Sequence, residues 1–158
     1  MLGLKQKIFL LGESNVGKST LLSLLQGKEI TGQRKPTIGL EIENSHLNGN
    51  KCTIWDLGGQ ERFKMMWQDF LRGSGLTVVV TDSTEENVHK TKDILNRFSR
   101  HLGSKIIAIA NKQDLPGSLT AKEVQEKLGG VKTYGMSAIR PELRARMREI
   151  LEFEIQEE

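Results

Sequence analysis

The sequence has a single cysteine, Cys52, in 158 residues. No intramolecular disulfide is available, and a reducing, cytoplasmic setting is the expectation. No apolar run is long enough to span a bilayer, and the N-terminus lacks the basic, apolar and small-residue order of a secretory leader. No charge of one sign dominates: 23 Lys and Arg face 20 Asp and Glu, and the basic residues are scattered, so no nucleic-acid partner is expected. Internal repeats, linkers and low-complexity stretches are absent, and a hydrophobic share of 37% suits one domain over residues 1–158. His46, His89 and His101 lie far apart without ligand spacing, and Cys52 reads as a small buried hydrophobe, so none of them is assigned a role.

What is present is an alternation of short apolar segments with longer helix-like ones, the rhythm of a mostly parallel sheet with crossover helices. Six strands are predicted: Lys7 to Leu11, Ile38 to Leu47, Lys51 to Asp56, Leu76 to Asp82, Lys105 to Ala110 and a short one near Val131 to Met136. The second and third are joined by Asn48-Gly49-Asn50, a tight hairpin signal that makes the second an antiparallel edge strand. About five helices are expected. One follows the first strand and carries Leu21, Leu22, Leu24 and Leu25. Another has Ser83 and Glu86 as a capping box, with Val88, Thr91, Leu95, Phe98 and Leu102 at three-four spacing before Gly103. Thr120 and Glu123 repeat the capping signature before Val124 and Leu128, and Gly129-Gly130 stops that helix. Pro141 suits the first turn of a last helix that buries Leu143, Met147, Ile150 and Leu151. Its acidic final turn opposes the helix dipole and predicts fraying.

Three motifs fall at the carboxyl ends of predicted strands. Gly12-Glu13-Ser14-Asn15-Val16-Gly17-Lys18-Ser19 matches G-x-x-x-x-G-K-[ST] between a strand and a helix. Such a loop wraps a polyphosphate, its amides and helix N-terminus meeting anionic oxygens, with Lys18 at the β and γ phosphates and Ser19 on Mg²⁺. The motif alone admits ATP or GTP. Asn111-Lys112-Gln113-Asp114 follows the fifth strand, and a carboxylate at Asp114 can accept from both N1 and the exocyclic amine of guanine, whereas adenine offers it no matching donors. Ser137-Ala138, after the sixth strand, can bring backbone amides to the guanine carbonyl. Asp56, followed by Leu57-Gly58-Gly59-Gln60-Glu61, puts a carboxylate near the metal and a flexible segment near the γ-phosphate, and Thr37 is placed to complete the metal shell when GTP is present.

These readings define the candidate sites. The metal ligands are Ser19, Thr37 and Asp56. Gln60, Lys18 and Thr37 are the candidate catalytic residues, with Gln60 orienting the attacking water. The nucleotide contacts are Ser14, Asn15, Val16, Gly17, Lys18, Ser19, Thr20, Thr37, Gly59, Asn111, Lys112, Asp114, Ser137 and Ala138.

The blocks GESNVGKS, PTIG, WDLGGQE and NKQD, with SAI near the end, occur in the order of the Ras-like small GTPases, and the resemblance covers nearly the whole chain. Within that superfamily, Trp55-Asp56-Leu57-Gly58-Gly59-Gln60 and Pro36-Thr37-Ile38-Gly39 resemble the Arf group, while the phosphate loop and Glu61-Arg62-Phe63 look more like Rab proteins. The whole resembles a divergent Arf-like protein. The resemblance implies a P-loop NTPase G domain that binds GTP or GDP with Mg²⁺, hydrolyses GTP, and works as a monomer with an activating protein, an exchange factor and effectors. Arf proteins begin with a myristoylated amphipathic helix and Rab proteins end in prenylated cysteines. This chain starts Met1-Leu2-Gly3 and ends Glu157-Glu158, so no lipid anchor is expected, and membrane association is expected only through a partner or a weak basic surface.

Three features stay open. Arg34, three residues before Thr37, resembles the arginine that heterotrimeric G-protein α subunits supply in cis to the γ-phosphate, although the favoured reading is a solvated charge on a polar loop. Trp67 and Phe70 read as effector anchors or as core. Arg140, Arg144, Arg146 and Arg148 read as a solvated helix face, or as a surface for an acidic partner or membrane.

Overall fold

The computed structural model describes residues 6–25, 40–71, 75–102, 105–143 and 145–156. Among the described residues six strands form one sheet: β1 (Gln6–Leu11), β2 (Leu40–Leu47), β3 (Asn50–Leu57), β4 (Leu76–Thr81), β5 (Ile106–Ala110) and β6 (Thr133–Gly135), in the order β2-β3-β1-β4-β5-β6. β2 pairs antiparallel with β3 at the edge, through the Asn48-Gly49 turn in which both residues have positive φ. Every other pairing is parallel. The helices among the described residues are α1 (Lys18–Leu25), the single turns α2 (Glu61–Lys64) and α3 (Trp67–Phe70), α4 (Glu85–Arg97), α5 (Ala121–Lys127) and α6 (Arg146–Gln156). This is the expected mixed α/β sheet of a P-loop G domain.

The apolar strands have two cores to fill because side chains alternate across a sheet. Ile8 and Leu10 of β1 join Val78, Val80, Ile107 and Ile109 in a layer covered by α1 and α6, where Leu21, Leu25, Met147 and Leu151 are buried. Phe9 and Leu11 face the other way, into a layer with Val79, Ala108 and residues of α3, α4 and α5, including Trp67, Val88, Leu95, Phe98 and Val124. Each fully buried side chain of this kind contributes ~1.5–3 kcal/mol. β1 is flanked by β3 on one side and β4 on the other. The chain order therefore reverses direction beside β1, and a crevice opens at the carboxyl ends of β1, β3 and β4.

Several local expectations change in the folded chain. The cap of α4 is Thr84, whose side chain accepts from the Asn87 amide. Ser83 is instead buried, with φ at 68°, and donates to the Asn111 carbonyl at 2.6 Å. The Thr120–Glu123 capping box of α5 is complete in both directions. β6 is only three residues long. Pro141–Leu143 forms a separate 3-10 turn ahead of α6. Trp67 is core: it is 1% exposed and donates from Nε1 to the Gly58 carbonyl, while Phe70 packs on Trp55. Of the four arginines expected on the last helix, Arg140 precedes it and is exposed, and the two described on α6 are fasteners. Arg146 donates to the Gly135 carbonyl, and Arg148 donates to the carbonyls of His46 and Leu25, both at 2.7 Å. Arg144, Gly103, Ile38 and Gly39 lie outside the described residues.

At the acidic end of α6, which is described to Gln156, one carboxylate has partners. Glu154, 1% exposed, accepts from the Tyr134 hydroxyl at 2.9 Å and pairs with Lys132 at 3.0 Å, while Lys105 reaches its backbone carbonyl. Burial works against the charged carboxylate, but the bonds from Lys132 and Tyr134 and the charges of Lys132 and Lys105 together outweigh it and hold the Glu154 carboxyl below its ordinary range. A lowered folded value means that the stabilisation is complete above the unfolded value of about 4.3 and is lost as pH falls through the folded one. Glu154→Gln is expected to cost about 2 kcal/mol at neutral pH, read by urea unfolding, with the gap to the parent closing below about pH 4.

Candidate nucleotide site

The crevice beside β1 is lined first by residues 12–17, which lead from β1 into α1. Gly12 lies so close to β4 that a Cβ there would be 2.6 Å from the Val80 carbonyl oxygen. Gly17 has φ at 100°, and a Cβ would run into the Asn111 amide nitrogen. Asn15 also takes a left-handed conformation, φ 67°, which asparagine tolerates better than most residues. The result is a concave turn whose ends are set by a strand and a helix.

Side chains hold this turn by its carbonyl oxygens. The Asn111 side-chain amide donates to Val16 at 2.9 Å, Lys112 donates to Asn15 at 2.7 Å, and Lys18 donates to Gly12 at 3.1 Å and Glu13 at 3.4 Å. Lys18 is 6% exposed. Burial lowers its pKa, opposed by the nearby charges of Asp56 and Glu13. Next to it, Ser19 donates to a carboxylate oxygen of Asp56 at 2.7 Å, and Asp56 is fully buried at the end of β3. Thr20 follows on α1, half-buried.

At the other end of the crevice, the Ser137 hydroxyl donates to Asp114 at 2.6 Å. Ala138 is buried beside it. The loop carrying Asp114 is pinned by Gln113, whose amide donates to Ser83 and to the Leu119 carbonyl, both at 2.8 Å. Gly59 closes the near side. A Cβ on it would lie within 2.6 Å of the Ser14 amide nitrogen, so only glycine can sit this close to the loop after β1. Gln60 comes next, half-buried, and its side-chain oxygen accepts from Arg62 at 3.1 Å.

Ser14 to Thr20, Asp56, Gly59, Gln60, Asn111, Lys112, Asp114, Ser137 and Ala138 thus share one edge of the sheet. Thr37 and Arg34 lie outside the described residues. Four positions escaped the sequence reading: Ser83 and Gln113, which brace the Asn111–Asp114 loop, and Glu13 and Lys64, which form an ion pair at 2.5 Å. Glu13 and Gln113 occupy variable positions of two motifs and Ser83 reads as a cap, so no local signal shows their partners, which lie far away in the chain.

A family model for the ADP-ribosylation factor family matches residues 2–152. The chain belongs to the ADP-ribosylation factor family. Relatives of this Arf-family chain include ADP-ribosylation factor-like protein 2 of Drosophila melanogaster, 33% identical over 78% of this chain and 69% of the relative. ADP-ribosylation factor-like protein 5 of Caenorhabditis elegans is 34% identical over 81% and 74%. ADP-ribosylation factor-like protein 5A of Bos taurus is 30% identical over 82% and 75%. Membership makes this Arf-family chain a guanine-nucleotide-binding switch protein of the small-GTPase class.

The residues fit the groups that such a protein holds. A hydroxyl and a buried carboxylate in contact are hard oxygen donors of the kind Mg²⁺ selects. Asn111 keeps a buried side-chain oxygen with no hydrogen-bond partner among the described residues. Gly17→Ala is expected to lower stability by about 2 kcal/mol in urea unfolding, because the added methyl meets the Asn111 amide and the backbone is in a left-handed region.

Proposed function

We propose that this chain is a GTP-hydrolysing switch that binds GTP and GDP with Mg²⁺ and signals through the segment after Asp56. The observation that carries the reading is the joining of two half-sites by one loop: Asn111 grips the phosphate loop at Val16 while Asp114, three residues on, stands braced by Ser137.

In this reading the amides of residues 14–19 and the Thr20 segment receive the phosphates, and Lys18 neutralises charge at the β and γ positions. Ser19, Asp56 and Thr37 hold Mg²⁺, which supplies charge neutralisation at the phosphate oxygens. Asp114 accepts from the guanine edge, Ser137 keeps that carboxylate aimed, and Asn111, Lys112 and the Ala138 amide complete the base contacts. Gly59 offers its backbone amide to the γ-phosphate, and Gln60 orients the attacking water. Arg34 is kept as an in-cis charge donor or a solvated residue. Catalysis of this kind is positioning and charge stabilisation, with an activating protein, an exchange factor and effectors as partners of a cytosolic monomer. A second reading, a nucleotide-bound scaffold with negligible turnover, is favoured by the bond that occupies the Gln60 oxygen with Arg62.

Asp114→Ala is expected to weaken GDP and GTP binding by at least about a hundredfold while leaving the weak binding of ATP unchanged, since it removes two charge-assisted hydrogen bonds. Equal retention of ATP and GTP by the purified parent overturns the proposal. Gln60→Leu should slow single-turnover phosphate release by about tenfold or more, with GDP affinity held within about twofold. A parent that binds GTP but releases no phosphate over hours selects the scaffold.

A further inference from the structure

Lys64 is an unusual lysine. It sits four residues after Gln60 at the end of α2, yet its side chain is only 5% exposed. It pairs with Glu13 of the phosphate loop at 2.5 Å and with Glu61 at 3.0 Å, and Glu61 pairs in turn with Arg97 of α4 at 2.6 Å. Burying an ammonium group is costly unless carboxylates surround it, so this site is set by Glu13 and Glu61 together.

The placement of Glu13 matters more than the pairing itself. Glu13 lies between Gly12 and Ser14, and its backbone carbonyl accepts from Lys18. The backbone of residues 12–14 is the surface against which Gly59 packs. Residues 58–64 are therefore held to the core at Gly58 by Trp67 and to the phosphate loop twice, at Gly59 by close backbone contact and at Lys64 by charge. Gln60 lies between those last two attachments. Without the second, the segment would be tethered to the loop only at Gly59, and Gln60 would no longer be bracketed by two attachments.

We propose that Glu13–Lys64 is a positioning pair for hydrolysis, holding Gln60 over the phosphate loop from within the chain. This role rests on the GTPase activity proposed above. Neither residue touches substrate; both act through the backbone of residues 59–63. Arg97 is a surface brace on Glu61, and surface pairs contribute little.

The test uses the full chain loaded with GTP and Mg²⁺. Glu13→Gln and Lys64→Gln are each expected to slow single-turnover phosphate release by about fivefold or more, while GDP affinity stays within about twofold of the parent. Lys64→Arg, which keeps the charge and the reach, should retain the parent rate within about twofold. Arg97→Gln should also leave it within about twofold. Hydrogen exchange at the 59–64 amides of the GDP-loaded protein should rise about tenfold in Glu13→Gln. Faster exchange with an unchanged rate overturns the proposal and leaves the pair structural, as does a slowed rate that Lys64→Arg fails to retain. Glu13→Gln, at the more accessible end of the pair, decides the matter if Lys64→Gln does not fold. A parent with normal GTP preference and phosphate release, combined with unaffected variants, sinks this role alone. A parent without phosphate release sinks the activity and this role with it.

Discussion

A loop that offers its backbone amides to an anion cannot use them in a ladder, so something else must keep it still. In this chain the loop is held through its carbonyl oxygens, which accept from Asn111, Lys112 and Lys18. The three donors are polar side chains, two of them from the loop after β5. That arrangement makes the rest of the site a consequence of one contact surface. If the loop after β5 shifts, the loop after β1 loses two of its three donors and Asp114 moves with it.

The sheet explains why the parts meet at all. Parallel strands buried on both faces bring their carboxyl ends to one edge, and the reversal of strand order beside β1 leaves that edge uncovered. α4 stiffens the floor. Asn87, near its start, accepts from the Thr81 hydroxyl at 2.6 Å and from the Asp82 amide at 3.2 Å, and its backbone carbonyl accepts from Thr91 at 2.8 Å. The buried polar side chains Thr81, Asn87 and Thr91 are paired within α4 and with β4, which lets a hydrophilic site rest directly on an apolar core.

Much of this was legible beforehand because the signals are local. The Asn48-Gly49 hairpin, the apolar runs of β4 and β5, and the Thr120–Glu123 box each depend on a few adjacent residues, and each stands as read. Where the reading went astray, a distant partner decided the outcome. Ser83 looked like a cap, but the Asn111 carbonyl 28 residues away claims its hydroxyl. The acidic residues closing α6 carried no sign of a partner, but Tyr134 and Lys132 come from the β6 region to meet Glu154. Trp67 was ambiguous in the chain, because an aromatic at the start of a short helix suits either a surface or a core until the position of Phe98 is known.

By itself the sequence determined the fold class, the order of the strands along the chain, and the identity of the three loops that form the crevice, since each is written in contiguous residues whose spacing matches a strand end. Only the tertiary structure decided which side chains brace those loops: Ser137 on Asp114, Gln113 on Ser83, and Lys64 on Glu13. The physical reason is that hydrogen bonds and ion pairs between residues 23 to 51 positions apart leave no periodicity in the sequence. They exist only once burial of the two apolar layers has brought the strands into register.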